Sequence, residues 1–267
     1  MSMKLAFIGD NDLESVEADS KFAKANGFEG LEYNYWGGFK DLTADTVAKM
    51  HAIHKKHGVR ASMLGIWGWN HLAPDRAVRK EAHAMLHRAI GFAQTLGADV
   101  FVTGAGEMPG EPLGRKVAEF VKVFPPFLAK MKKAGLRPAF YAVHGASFLD
   151  SLKAYERVWE HLPEVKIKFD PANWSHHGDD YLEVVQRYGH KVGYVHIKDH
   201  LYKDGRLVSQ PAAGMGSIEF PKVMAFLYEH RYDGWLSIEP HGEHWSRPPL
   251  REKMLKLSKR YIEQFLA

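Results

Sequence analysis

The chain has 267 residues, which is enough for one large domain or two small ones. Hydrophobic residues make up 45% and charged residues 25%, values of an ordinary globular protein that exclude the disordered and fibrous classes. The formal net charge is only +4 and no dense basic run occurs, so the composition does not indicate a nucleic-acid-binding protein.

Cysteine is absent, which excludes disulfide bonds and thiolate chemistry. The first ten residues lack the basic, apolar and small-residue regions of a signal peptide, and no apolar segment is long enough for a membrane span. We therefore expect a cytoplasmic protein without a membrane partner. No sequence pattern specifies the oligomeric state, and the sequence is compatible with a homo-oligomer.

Short apolar runs alternate eight times with longer segments of helical period. This alternation predicts repeated βα units around a parallel sheet, whose strands are apolar throughout because both faces are buried. The predicted strands are residues 4–8, 30–33, 59–65, 99–103, 137–143, 165–169, 192–197 and 234–238.

Eight βα units in about 250 residues predict an α/β protein with a single (β/α)8 TIM barrel domain over residues 1–267. Two doubly wound domains are the weaker alternative, because residues 9–12 after the first strand read Gly-Asp-Asn-Asp, not a glycine-rich dinucleotide turn. Pro125 and Pro126 predict a break in the fourth helix. Residues 198–216 are predicted to form one long irregular loop, and such loops are often functional.

Functional groups of a parallel barrel lie where the strands end. Asp170, His196 and Glu239 occupy the ends of the sixth, seventh and eighth predicted strands. Taken singly, Asp170 also suits a helix cap and His196 a hydrogen-bonded core residue, although a carboxylate is costly to bury unpaired. Together, oxygen and imidazole ligands on three consecutive strands favour one divalent ion: Mn²⁺, Mg²⁺, Co²⁺ or Zn²⁺.

Four segments resemble the sugar phosphate isomerase/epimerase family: Phe-Asp-Pro-Ala-Asn at 169–173, Val-His-Ile-Lys-Asp at 195–199, Gly-Met-Gly-Ser-Ile at 214–218 and Tyr-Asp-Gly-Trp-Leu-Ser-Ile-Glu at 232–239. The resemblance extends over nearly the whole chain and implies a xylose isomerase-like barrel. That superfamily also holds ketose 3-epimerases, inosose dehydratase and apurinic-site endonucleases. The resemblance therefore implies an enzyme with a small-molecule sugar substrate, without specifying which sugar.

Members of this family typically bind one divalent ion through Glu, Asp, His and Glu from the fifth to eighth strands. Asp170, His196 and Glu239 match the last three, whereas Ala142 stands where the first Glu is expected. His144 projects from the same strand face as Ala142 and is a candidate ligand or acid/base group, with a structural or substrate-contacting role as the alternative. The sequence is also compatible with an engineered Glu→Ala change at position 142.

Other side chains near the strand ends are candidates for substrate binding. Lys198 would contact a substrate oxygen or pair with Asp199, and Glu32 is a candidate for the missing carboxylate. Indoles in the loops would stack on sugar rings at the pocket mouth or pack at its rim. The predicted substrate contacts are Lys198, Asn173, Trp67, Glu32 and His241, and the other candidate indoles are Trp36, Trp69, Trp174 and Trp245.

Three functions follow from these patterns. The first is a metal-dependent isomerase or epimerase, or a lyase or dehydratase, acting on a keto-sugar or polyol. The metal would polarise a carbonyl, Glu239 would remove the adjacent proton, and His144 or a water would act opposite. The second is a degenerate sugar-binding relative, because Ala142 removes one ligand, although three-ligand sites can be active. Nucleic-acid repair is the weakest, since the endonucleases' additional histidines are absent, and we expect no nucleic-acid partner.

Overall fold

The structure is a computed structural model that describes residues 3–142 and 145–266. Its barrel strands are β1 (Lys4–Ile8), β2 (Gly30–Tyr35), β3 (Arg60–Ile66), β4 (Val100–Thr103), β5 (Arg137–Tyr141), β6 (Ile167–Phe169), β7 (Val192–Ile197) and β10 (Trp235–Ile238). They form a closed parallel barrel in the order β1-β10-β7-β6-β5-β4-β3-β2. This confirms the predicted (β/α)8 architecture, and the first and seventh strands have the predicted bounds.

Helices follow the strands around the barrel. Asp12, Thr43 and Asp75 begin three of them, each accepting a hydrogen bond from a backbone N–H of the first turn. The predicted break at the proline pair is confirmed. The helices are α1 (Leu13–Ala25), α2 (Ala44–His57), α3 (Arg76–Leu96), α4 (Leu113–Val123), α5 (Pro125–Lys133), α6 (Leu152–Trp159), α7 (Pro171–His177), α8 (Tyr181–Tyr188), α9 (Phe220–Glu229) and α10 (Leu250–Glu263).

The loop predicted over residues 198–216 is not wholly irregular, and that expectation was wrong. It contains an antiparallel hairpin of β8 (Leu201–Lys203) and β9 (Arg206–Ser209). The hairpin turns at Asp204 and Gly205, both with positive φ, as a two-residue Asp-Gly turn requires. These strands are short and largely solvent-facing, so they lack the buried apolar face that identifies a strand in sequence.

Side chains fill the interior of the barrel from one end to the other. Trp235 lies at the N-terminal ends of the strands, and a Cβ at Gly30 would lie 2.8 Å from its ring, so this strand position requires glycine. Trp67 and Tyr141 close the C-terminal end, where their rings stack with centroids 4.2 Å apart. The interior is therefore packed, and polar groups lie above it at the strand ends. None of the helices in the described ranges is both long and apolar enough to cross a membrane.

His54 makes the fold sensitive to acid. It is buried on α2, with Nε2 2.7 Å from the Tyr33 hydroxyl oxygen, and burial, with the charge of His51, lowers its pKa to about 4. In the unfolded chain, His54 takes up its proton near pH 6.5. It therefore stabilises the fold above that pH, and this contribution is lost as the pH falls towards 4. We expect acidification from pH 7 to 5 to remove about 2 kcal/mol of stability through this residue.

Urea unfolding at pH 7 and pH 5 measures this effect. The loss of stability on acidification should be smaller in His54→Gln by about 2 kcal/mol. His161→Gln, at an exposed position, is the matched control and should behave like the parent protein. An equal pH dependence of the parent and His54→Gln would show that His54 does not carry this proton linkage.

Candidate active site

The structure brings together three of the predicted metal ligands. Nδ1 of His196 lies 2.8 Å from Oε2 of Glu239 and 3.4 Å from Oδ2 of Asp170. One ligand atom from each residue lies within 4.8 Å of the others, so the three form a group that could hold a metal ion. His144 lies outside the described residues.

Strand register explains why these residues meet. Phe169 of β6 pairs with Val195 of β7, and Ser237 of β10 pairs with His196. Asp170 therefore lies level with His196, and Glu239 projects from the same face of its strand as Ser237, two residues earlier. Asp170 also accepts a hydrogen bond from the backbone N–H of Asn173. Both sequence interpretations of Asp170, helix cap and member of the cluster, are thus realised together.

Glu32 lies behind the histidine. It is fully buried within β2, and its Oε1 is 2.8 Å from Nε2 of His196, on the far side of the ring from Glu239. The Asn34 amide donates to the same oxygen at 2.7 Å and accepts a hydrogen bond from the Trp67 indole N–H. An outer carboxylate of this kind orients a metal-binding imidazole. The predicted direct contact between Glu32 and substrate does not fit this position, because Glu32 is fully buried behind His196 and does not line the cavity.

The charges of the cluster stabilise one another. Burial disfavours the charged form of His196, but the negative charges of Glu32 and Glu239 outweigh it and raise the pKa of His196 to about 10. Burial likewise opposes ionisation of Glu32, Asp170 and Glu239, yet neighbouring His196 or lysine charges hold each carboxyl pKa below its ordinary value. All three carboxyl groups are therefore ionised near neutral pH.

Lys198 joins the carboxylates of the cluster. Its Nζ lies 3.2 Å from Oδ2 of Asp170 and 3.1 Å from Oε2 of Glu239, and it donates to Oδ1 of Asn173 at 2.7 Å. The expected alternative pairing with Asp199 is wrong. The Asp199 carboxylate instead accepts hydrogen bonds from the backbone N–H groups of the loop, including those of Gly214 and Gly216.

Lys168 also belongs to the site, although it was not among the residues predicted from the sequence. It is buried, and its Nζ lies 3.4 Å from Oδ2 of Asp170 and 5.4 Å from the centroid of the Trp67 ring. A sequence signal existed: Lys168 interrupts an apolar run two residues before Asp170, so both side chains project from the same strand face.

A cavity of about 310 Å³ opens above this cluster. Its size is at the lower end of ordinary ligand pockets, about 300–1,000 Å³. Four of the predicted substrate contacts, Asn173, Lys198, Trp67 and His241, line it. His241 is half-exposed, with Nδ1 3.1 Å from Oε1 of Glu239.

The indoles do not all lie at the mouth. Trp36 is 56% exposed and stacks on Trp67, with centroids 5.8 Å apart. Trp67 is largely buried but lines the cavity. Trp174 is fully enclosed in the hydrophobic core, which corrects the expectation of an exposed stacking surface at that position. Ala142 is also buried and belongs to the apolar core just beyond β5.

An eight-stranded parallel barrel with carboxylates and a histidine at its C-terminal strand ends defines a recognisable class of α/β barrel. Residues 20–262 match the family model described as Xylose isomerase-like TIM barrel, and the chain belongs to that family.

Known proteins similar to the chain include an inosose dehydratase of Clostridium botulinum (strain Alaska E43 / Type E3), 28% identical over 114 residues. That match covers 38% of either chain, so it extends over less than two thirds of the relative's length. The barrel also resembles an L-ribulose 3-epimerase structure, with a TM-score of 0.80, 16% identity and coverage of 98% of this chain and 94% of that one. An IOLI protein structure with a zinc atom has a TM-score of 0.77, 16% identity and coverage of 98% of each chain.

Glu32→Gln tests the orienting role of the buried carboxylate. Glutamine keeps the shape but removes the charge behind His196, and losing such an outer partner weakens metal binding about 10- to 100-fold. Titration calorimetry with Mn²⁺ and Zn²⁺ measures the change. Glu29→Gln, at an exposed position three residues earlier, is the matched control. Unchanged metal affinity in Glu32→Gln would contradict the orienting role.

Asp199→Ala tests how the long loop is fixed. The substitution leaves several backbone N–H groups without their acceptor, including those of His200 and Ile218. We expect a loss of about 1–3 kcal/mol of stability and faster proteolysis between residues 200 and 216. Asp233→Ala, at an exposed position, is the control for both measurements. Equal cleavage rates in the two variants would show that the carboxylate does not hold the loop.

Proposed function

We propose that this protein is a divalent-metal-dependent sugar enzyme, an isomerase, epimerase or dehydratase acting on a keto-sugar or polyol. The observation that carries the proposal is the meeting of Asp170, His196 and Glu239 within 4.8 Å below an open cavity, with Glu32 buried behind the imidazole. The similarity to inosose dehydratase and the epimerase-like barrel support the same reaction class. We further infer a cytoplasmic enzyme with a small-molecule substrate.

The donor set fits a divalent ion. Two carboxylates and an imidazole suit Mn²⁺, Mg²⁺, Co²⁺ or Zn²⁺, and three protein ligands leave positions for substrate oxygens. Zinc has the additional support of the similar IOLI structure that contains it. When bound, such an ion would polarise a substrate carbonyl and acidify the proton on the adjacent carbon.

Glu239 is the proposed base. Its Oε2 faces His196 and Lys198, whereas Oε1 faces His241 at the edge of the cavity. The charges of Lys198 and His196 overcome burial and keep the pKa of Glu239 low, so the carboxylate is ionised and able to accept a proton. We assign proton abstraction to Oε1, because Oε2 is held by His196 and Lys198.

The site favours elimination over epimerisation. Glu239 is the only carboxylate among the described residues that line the cavity. The buried Ala142 cannot supply a second one. An epimerase needs acid/base groups on both faces of the reacting carbon, whereas loss of water needs one base and one proton donor. Lys198 and His241 are proton donors within reach of the cavity. His144 remains a proposed opposite acid/base group.

The second candidate is a sugar-binding protein without metal. The observation that favours it is Lys198, whose ammonium group already contacts the Asp170 and Glu239 carboxylates that an ion would share. A positive side chain in this position satisfies both carboxylates electrostatically. Metal binding and turnover distinguish the two candidates.

Glu239→Gln is the test of the enzymatic proposal. Proton abstraction is followed by ¹H NMR in D₂O, as deuterium uptake beside the carbonyl of inososes and ketoses, with saturating Mn²⁺ or Zn²⁺. Loss of a general base lowers the rate about 10²- to 10⁴-fold. Glu243→Gln, at an exposed position in the following loop, should keep the parent rate. Absence of both metal binding and exchange in the parent protein would favour the second candidate.

A further inference from the structure

The cavity presents an excess of positive charge to its ligand. Lys168 and Lys198 line it, and Glu239 is the only carboxylate among the described lining residues. The other carboxylates that compensate the two lysines, Glu32 and Asp170, are 0% and 2% exposed and lie behind the wall. Besides the His196 imidazole, a bound molecule therefore meets two ammonium groups and one carboxylate.

Lys168 is under-bonded for a buried ammonium group. An ammonium has three N–H donors. Within residues 3–142 and 145–266, its hydrogen bond is the one to Asp170, whose length of 3.4 Å exceeds the usual range. The Trp67 ring adds a cation–π contact at 5.4 Å. Two of its three N–H donors therefore have no hydrogen-bond acceptor among the described residues. Because a buried charge without full pairing is unfavourable, an acceptor brought by the ligand would stabilise it.

An anionic oxygen satisfies these donors better than a neutral hydroxyl. A carboxylate accepts charge-assisted hydrogen bonds and also compensates the excess positive charge of the wall. A hydroxyl supplies the hydrogen bond alone. The neighbouring Trp67 and Trp36 rings supply an apolar surface for the rest of a sugar.

The surroundings favour a carboxylate over a phosphate. Phosphate sites are typically built from free backbone N–H groups of glycine-rich turns or helix ends. The glycine-containing turn at residues 214–216, above the strand ends, already donates the N–H groups of Gly214 and Gly216 to Asp199.

We propose that Lys168 binds the carboxylate of an acidic sugar and that the substrates of this protein are sugar acids. This inference rests on the proposed function for its reaction, but the binding preference can be measured without turnover. Lys168 then acts as a specificity residue that holds the substrate acid while Glu239 faces the reacting carbon.

Titration calorimetry on the purified protein tests the preference with matched pairs of probes. D-glucuronate differs from D-glucose at one carbon, and D-gluconate differs from D-glucitol likewise. We expect the acid of each pair to bind about 10- to 100-fold more tightly, as expected for a hydrogen-bonded charge pair. Equal or reversed affinities would overturn the inference, as would tighter binding of D-glucose 6-phosphate than of D-glucuronate.

Lys168→Met assigns the preference to this residue. It should lose about 10- to 100-fold in affinity for the acids and change little for the neutral sugars. Lys166→Met is the matched control, since its ammonium donates to the His190 carbonyl away from the cavity. Thermal unfolding checks the fold, and Lys168→Gln replaces the methionine variant if that unfolds. An unchanged acid preference in the folded variant would overturn the role of Lys168.

Deuterium exchange separates this inference from the proposed function. Exchange on neutral ketoses combined with no acid preference would leave the enzyme proposal standing and refute the sugar-acid inference. An acid preference that depends on Lys168, without exchange on any acidic or neutral sugar, would support the binding inference and refute the enzymatic proposal.

Discussion

The position of the His196 imidazole, with one carboxylate on one side and two on the other, is the constraint on which the site depends. Nε2 faces the buried Glu32, and Nδ1 faces Glu239 and Asp170. Because both nitrogens are engaged, the ring has one orientation, and its Nδ1 edge is fixed towards the cavity. The central place of β7 between β6 and β10 supplies this geometry.

The cluster gathers charged groups that burial alone would disfavour. Buried ions lose hydration, and their mutual attraction often only balances that loss. Glu32, Asp170 and Glu239 are each held ionised by positive neighbours, which include Lys168 and Lys198. Strongly shifted pKa values in a cleft are characteristic of functional sites.

The loops above the strand ends are themselves fixed by buried polar contacts. Asp199, directly after Lys198, binds the backbone of the turn at Gly214 and Gly216. The Trp67 indole is bound to Asn34, which in turn contacts Glu32. The cavity wall and the ion cluster therefore share one hydrogen-bond network, so the geometry of the wall and that of the cluster are coupled.

The sequence by itself determined the barrel and three members of the cluster. Eight apolar runs at βα spacing specify the fold, because strands buried on both faces must be apolar throughout. Asp170, His196 and Glu239 were identifiable because polar residues at the ends of such runs are conspicuous and all strand ends of a parallel barrel meet at one face.

Only the tertiary structure decided which side chains contact one another. The register of β6, β7 and β10 placed Lys198 against Asp170 and Glu239 and not against its neighbour Asp199. Closure of the barrel placed Glu32 of β2 behind the histidine, and helix packing enclosed Trp174 of α7 in the core. These outcomes depend on distances between residues far apart in the chain, about which local periodicity carries no information, since the same alternation suits several pairings across a barrel.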